Sequence, residues 1–435
     1  MKKLFLILLV PFAIFAQSYL VSDIPLPKTY VLDLDPYECD EDCLQEFLEK
    51  DQIFSFLAHA HRKLPNKELE EARMINAAIF NIGASNTNAN FRIALLLPYK
   101  RIGKYATSTT NAVFAYLVTK STPFDMKSYT IEDESYDTIQ AALQQIQQDG
   151  IEFVIAPLTK EGVENIISID PELSIYFPTT NKKDVETTSP YLSFGGIDYS
   201  AQSDMLLREA VSRLIIFSGT SETGKKLALY QEDRFLHPNI EHVEPSAFSP
   251  DHELVMPTQT DETPKKVFKY YISTRTTNLE NYLKDNEEIV AGSFLINTPI
   301  IKTGMIMSQL TLYDTNATNV LSTQINYNPL LLSMTQYRDR ENMVIANSIT
   351  KQDNVQIEMN SLIGNDIKYD WINYSTIVGV DYFYSQVTGE ARVYDLAIKD
   401  AQVVYDIELL RPMRTKFAKY IPSQPPEPEL EETEN

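Results

Sequence analysis

The sequence predicts an α/β protein of two lobes, each built on a parallel sheet wrapped by helices, with a small helical region in front. Three observations carry this. Short apolar runs of strand length alternate with segments whose apolar residues recur at helical spacing. The alternation comes in two successive series, which implies two sheets joined by right-handed crossovers. A small polar stretch, ASNTNAN at 84–90, separates it from a helix-patterned region upstream.

Residues 1–16, MKKLFLILLVPFAIFA, carry two lysines, an apolar core and Ala16 before polar Gln17. That pattern predicts a secretory signal peptide cleaved after Ala16. The run is shorter than the ~20 residues a spanning helix needs. No Cys follows the cleavage point, so lipid attachment there is not expected. With no other long apolar segment, the expected location is the periplasm, in soluble form with no membrane span after cleavage.

The chain holds 60 Asp+Glu against 38 Lys+Arg, a formal net charge of −22. Such a surface repels nucleic acid and anionic lipid, so neither is an expected partner. The two cysteines, Cys39 and Cys43, flank three acids. In an oxidising compartment, with no third thiol or further soft ligand, they are expected to form a disulfide.

Residues 17–89 open with a Pro-punctuated extended stretch. Leu44, Phe47 and Leu48, then Phe54, Leu57 and Ala58, keep one face apolar, and residues 68–82 repeat the pattern with Ala72, Ile75, Ala78 and Ile79. Past the linker, RIALLL (92–97) is a buried strand followed by a helix with Ala112, Val113, Tyr116 and Leu117 inward. Residues 126–131 form the next strand, and its helix opens at Ser135 with Ile139, Ala142, Leu143 and Ile146. IEFVIA (151–156) is a third strand; Thr159 opens a helix with Val163, Ile166 and Ile167. Strands at 174–177 and 191–194 complete the first series.

The second series begins with a helix from Tyr199, then strands at 226–231, 268–272, 289–296 and 320–325. The lobes are expected to join near 197–200 and again near 326–329. Residues 392–398 and 402–409 read as an antiparallel hairpin. The bilobed domain is placed at 90–410, and 411–435 as an acidic Pro/Glu-rich tail, expected disordered from Ile421 onward.

GTSETGKK at 219–226 has the spacing of a phosphate loop, but Lys226 stands where the Mg²⁺-holding hydroxyl belongs. Met205, Leu206, Ala210, Val211, Leu214 and Ile215 fall near helical spacing before it, and LALY after it reads as a strand. Helix, turn, strand is the reverse of a phosphate loop, so a Gly/Ser connector is expected.

The segments RIALLLPYKRIGKYATSTTNAVFAYL, DTIQAALQQIQQDGIEFVIAPLTKEGV, SFGGIDYSAQSDML, YSTIVGVDYFY and VTGEARVYD together resemble the type I periplasmic binding fold, with its two Rossmann-like lobes, over 90–410. Within that fold the chain looks similar to the C-terminal domain of the outer-membrane lipoprotein activator of a penicillin-binding protein, and to solute-binding proteins for amino acids and amides. In the amino-acid group the turn after the third strand grips a ligand carboxylate with a hydroxyl and backbone N–H groups at a helix N-terminus. Here that turn is Ala156-Pro157-Leu158-Thr159, and only Thr159 supplies a hydroxyl. The chain has just 13 Gly, few against the ~7% average.

Physics places any ligand outside the carboxyl ends of the parallel strands, between the lobes. That selects Tyr99 and Arg101 after the first strand, Thr159 after the third, Thr179 and Thr180 after the fourth, and Asp198 and Tyr199 at the crossover. Asn297 and Thr298 are expected to face them from the second lobe. His59 and His61 point to different helix faces; His237 and His242 lie in an acidic loop read as solvated. No metal, cofactor or catalytic residue is expected. Tyr369, Trp371 and Tyr374 in KYDWINY read as a packed aromatic patch. The expected function is non-enzymatic, a contact with an envelope protein partner as a cell-wall synthesis regulator or assembly scaffold; the alternative is binding of a small polar solute, an amino acid or amide.

Overall fold

The computed structural model describes Val31, Asp33, Asp35, Tyr37, residues 39–60, 63–80, Ile82, 91–238 and 264–421. The signal segment, the 84–90 linker, His61, His242 and the tail from 422 lie outside these described residues. The chain divides into two compact units, Met1–Ala89 and Asn90–Asn435.

In the first unit, α1 (Glu41–Glu49), α2 (Ile53–His59) and α3 (Lys67–Ile79) enclose a small core of Leu44, Phe56, Leu57, Ala60 and Leu69. Asp40 caps α1, accepting from the Cys43 N–H at 2.9 Å, and Asn66 caps α3, accepting from the Glu68 N–H at 3.0 Å. Leu69 fixes which side of α3 turns inward, so Ala72, Ala77 and Phe80 line up behind it. The inward face expected from the sequence is therefore corrected: Ile75, Ala78, Ile79 and, on α2, Phe54 face outward. Arg73 holds the Glu70 carboxyl down to about 2, helped by the Leu64 N–H at 2.9 Å. His59 stacks on Phe47, its Nδ1 3.3 Å from Asp33, and the bond to Asp33 holds the imidazole above its ordinary range against the effect of burial.

Cys39 and Cys43 form a disulfide, their Cα atoms 5.3 Å apart. The closed loop is short, so its loss in Cys39→Ser/Cys43→Ser is expected to cost only about 1–2 kcal/mol on the loop-entropy relation. Hydrogen exchange of the double variant should speed up in α1 and leave the second unit's strands unchanged; one cooperative collapse of both units would contradict this.

The second unit begins with β1 (Phe91–Leu97), α4 (Tyr99–Ile102), α5 (Lys104–Val118), β2 (Phe124–Thr130), α6 (Tyr136–Gln148), β3 (Phe153–Ile155), α7 (Lys160–Ile169), β4 (Ser174–Phe177) and β5 (Leu192–Phe194). Crossing over, it continues with α8 (Tyr199–Leu207), β6 (Arg213–Gly219), α9 (Glu222–Leu236), β7 (Lys266–Ile272), α10 (Glu280–Leu283), β8 (Ser293–Asn297), α11 (Ile300–Leu312), β9 (Asn319–Ser322), α12 (Leu330–Met334), α13 (Tyr337–Arg340) and β10 (Met343–Asn347). The chain then returns to the first lobe for α14 (Asn354–Leu362), α15 (Trp371–Thr388), β11 (Ala397–Lys399) and β12 (Gln402–Val404). It ends in the second with β13 (Glu408–Pro412) and β14 (Phe417–Lys419).

Among the described residues each lobe holds a seven-stranded, mostly parallel sheet, ordered β11-β12-β5-β4-β3-β1-β2 and β14-β13-β10-β9-β8-β6-β7. Helices pack on both. Ile139, Leu143 and Ile146 of α6 and Val163 and Ile166 of α7 bury against Leu96, Val154 and Ile175. Leu214, Ile216, Leu295, Leu321 and Val344 form the second core.

Four expectations change. The strand read at 226–231 is the middle of α9. The second crossing follows β10 instead of lying at 326–329, because α12, α13 and β10 still belong to the second lobe, and a third crossing joins β12 to β13. The hairpin shrinks to β11–β12, while β13 pairs antiparallel with β10, Ile345 opposite Leu410. The second sheet runs on to Lys419, beyond the expected end of the domain at Leu410.

Candidate functional site

The carboxyl ends of the parallel strands supply the candidate site. After β1, Arg101 pairs with Glu161 at 3.0 Å, and Tyr99 and Lys100 neighbour it, Lys100 3.0 Å from Glu132. After β3, Thr159 caps α7. Its backbone N–H donates to Glu134 Oε1 at 2.9 Å and its hydroxyl donates to the other carboxylate oxygen. Glu134, in the turn after β2, is 1% exposed. The backbone carbonyl of Glu134 also accepts from Asn165 Nδ2 at 2.7 Å. Gly162 makes room for the carboxylate: a Cβ there would stand 3.0 Å from the Glu134 carboxyl carbon. The positive end of α7 thus faces a carboxylate belonging to the protein itself.

The turn after β4 is equally self-contained. The Thr179 hydroxyl donates to the Leu158 carbonyl. Thr180 is buried, and its carbonyl accepts from the Gly196 N–H at 2.9 Å. At the crossover Asp198 caps α8, accepting from the Ala201 N–H at 2.9 Å, and pairs with Lys183. Burial pushes the Tyr199 phenol up to about 12, with a smaller contribution from Tyr105.

In the second lobe Asn297, Thr298, Gln231 and Gln202 are committed to partners. Asn297 and Gln231 form a reciprocal amide pair at 3.2 and 2.6 Å, and Gln231 adds a bond to Ser203 at 2.9 Å. The Thr298 hydroxyl lies 2.9 Å from that of Thr303. Gln202 donates to Gln324 and to Ser348, tying α8 to the ends of β9 and β10. Both Asn297 and Thr298 are buried, so neither offers a free group to a ligand. Of the nine residues selected by position, the structure links Thr159 with Thr179 through Leu158, and Thr180 with the crossover through Gly196.

Rings bridge the lobes. Tyr369, just before α15, packs at 5.1 Å on Tyr327 beyond β9, and at 6.2 Å on Phe417 of β14. Trp371 meets Tyr405 at 4.6 Å and Tyr374 at 5.9 Å, and the Tyr405 hydroxyl lies 3.2 Å from Ser375 Oγ and 3.4 Å from the Tyr176 hydroxyl. The KYDWINY residues are a packed aromatic patch.

No family model matches the sequence, and no curated protein does. Solved structures do match. LpoA from Haemophilus influenzae aligns at 12% identity over 85% of this chain and 68% of its own, TM-score 0.50. A putative branched-chain amino acid ABC transporter protein from Rhodospirillum rubrum aligns at 10% identity over 76% of this chain and 99% of its own, TM-score 0.54. A periplasmic ligand-binding protein of a branched-chain amino acid ABC transporter from Burkholderia xenovorans gives 8%, 76%, 94% and 0.54. The chain has the type I periplasmic binding fold.

Within the type I periplasmic binding fold the cleft between lobes is the ordinary ligand position, and here Glu134 with Thr159 and Gln231 with Asn297 bond to each other, while Thr323 Oγ1, Gln324 Nε2 and Asn326 Oδ1 just after β9 are buried without a partner among the described residues. Sequence reasoning missed Glu134, Gln202 and Gln231. Glu134 stands among Glu132 and Asp133 in an acidic chain and looked like surface charge; its one signal was its place in a strand-to-helix turn. Asp370, which caps α15 through the Asn373 N–H at 3.2 Å, was also missed; burial raises its carboxyl above the usual range.

GTSETGKK follows strand β6 and opens helix α9, the order of a phosphate loop and the reverse of that expected. The loop closes on itself, Ser221 Oγ accepting from the Gly224 N–H at 3.2 Å and Ser218 Oγ donating to the Gly224 carbonyl at 2.8 Å. With Lys226 at the hydroxyl position it has no side chain for Mg²⁺. Among the described residues no three His, Cys, Asp or Glu converge as a metal set, and His237 pairs with Asp233 at 3.1 Å. No helix among them is long and apolar enough to cross a membrane.

Proposed function

We propose that this chain is a non-enzymatic periplasmic interaction protein that uses the type I binding scaffold to contact another envelope protein, as a regulator of cell-wall synthesis or an assembly scaffold. The observation that carries this is the Glu134 carboxylate at the N-terminus of α7, where the amino-acid-binding relatives of the fold would hold a ligand carboxylate. An incoming carboxylate there would meet a fixed like charge instead of free N–H groups. The amide pair of Gln231 with Asn297 closes the opposite lip in the same way. The likeness to LpoA supports the reading at the level of fold, since its 85% coverage is more than the unit from Asn90 onward can supply.

Melting the purified protein in the presence of each amino acid and small amide tests this. A bound solute at a hundred times its Kd would add about 2.7 kcal/mol and raise the melting temperature saturably. The expected result is no such rise for any of them. A saturable rise that Thr159→Val abolishes would establish the solute-binding alternative.

A further inference from the structure

Helix α3 has two apolar faces, and among the described residues only one of them packs into a core. Leu69, Ala72, Ala77 and Phe80 pack into the small core of the first unit. Met74, Ile75 and Ile79 point the other way and are 54%, 52% and 58% exposed, with Ala78 exposed between them. Single exposed apolar residues are ordinary, but four along two turns of one helix form a contiguous patch. The first turns of the same stripe carry exposed Glu68 and Glu71, two acids against the one exposed lysine there, Lys67. Arg73 is taken up by Glu70, at 2.8 and 2.6 Å, so it does not neutralise them. The last turn of α3 contains no basic residue to complement the negative end of the helix.

We infer that this stripe docks a cationic amphipathic helix of another polypeptide. Its apolar side chains would lie on Met74, Ile75, Ala78 and Ile79, and its Lys or Arg side chains against Glu68, Glu71 and the carboxyl end of α3. A helix is the matching shape because the stripe keeps i, i+3 and i+4 spacing along one helix, the ridge that a second helix packs against. Positive charge is the matching sign in a chain with 60 acidic and 38 basic residues. The same balance works against a second copy of this chain and against an anionic lipid surface. The inference goes beyond the role proposed for the bilobed unit and holds whichever way that role is settled.

The test uses the full chain and a labelled helical peptide of Leu and Lys in amphipathic order, with a Leu/Glu peptide of the same pattern as control, followed by fluorescence anisotropy. Saturable, salt-sensitive binding of the Leu/Lys peptide alone is expected. Ile75→Gln/Ile79→Gln should weaken it about tenfold or more, by removing two buried side chains from the contact, and Glu71→Lys should weaken it less. Both positions are exposed and Gln is a good helix former, so the melting temperature should not move. Equal affinity of the double variant would overturn the inference, since the peptide would then be held by general acidity. So would a wild-type dimer in sedimentation that the double variant dissociates, which would make a second copy the occupant. Met74 resisting peroxide as firmly as fully buried Met307 would also overturn it, by showing that the chain covers its own stripe.

Discussion

Asp381→Ala is expected to lower the unfolding free energy by about 3–5 kcal/mol. Asp381 sits on α15 and is 1% exposed. Its carboxylate accepts from the Tyr116 hydroxyl at 2.7 Å, from the Val393 N–H at 2.9 Å and from the Tyr394 N–H at 2.9 Å. One side chain therefore fastens α15 to α5 and to the segment leading into β11. Removing it strands the buried Tyr116 hydroxyl and Tyr394 N–H, along with the part-buried Val393 N–H, and each buried unmet donor keeps its desolvation cost. Tyr116→Phe deletes one of the three bonds and leaves the others, so a loss of about 1–2 kcal/mol is expected there. The Tyr116 phenol, raised by burial and then by Asp381, stays protonated throughout. Urea unfolding of the two variants at unchanged m-value measures both losses. A cost below about 1 kcal/mol for Asp381→Ala would mean that the segment relaxes and finds other acceptors.

Gly196→Ala should cost about 3 kcal/mol or more. The backbone there has no unusual torsion; the constraint is close approach. A Cβ would lie 2.1 Å from the Thr180 carbonyl carbon and 2.3 Å from the Asn181 nitrogen, both backbone atoms that no rotamer can move aside. Relief requires breaking the Gly196 N–H bond to the Thr180 carbonyl, and with it the junction of the β4 turn and the first crossover. Gly219→Ala in GTSETGKK is the contrast, because nothing lies within 4 Å of a Cβ there and its φ is not in the left-handed region. Comparing the two by urea unfolding separates packing from composition: similar losses would refute the close-approach account.

What the sequence discloses follows from how each segment buries itself. RIALLL is apolar on both faces because helices cover both sides of its sheet, and nothing polar interrupts the signal. The helix opened by Thr159 was legible from its cap and from Val163, Ile166 and Ile167. Helix α9 was not, because its inward positions are Ala228, Gln231 and Phe235 while Leu229 is exposed, so the apolar letters follow the wrong spacing. Gln231 is inside because it pairs with Asn297, a contact between residues far apart in the chain that no local window contains. Glu134 was hidden for the same reason. The candidate positions were chosen from strand order alone, and their chemistry depends on partners that only the folded chain brings together. In α3 the letters Ile75, Ala78 and Ile79 suggested the inward face, whereas Leu69, Ala72, Ala77 and Phe80 are the residues that pack into the core.

The rings of Tyr327, Tyr369 and Phe417 have a consequence for recognition. A two-lobed protein whose lobes swing freely offers a partner two half-surfaces that must be brought into register, and the ordering is charged against affinity. Here side chains from both lobes are interleaved at the joint, so the angle between the lobes is set by packing before anything binds. Residues on the two lobes then keep constant spacing and act as one continuous template. On the function proposed above, an envelope protein partner would meet that template already ordered.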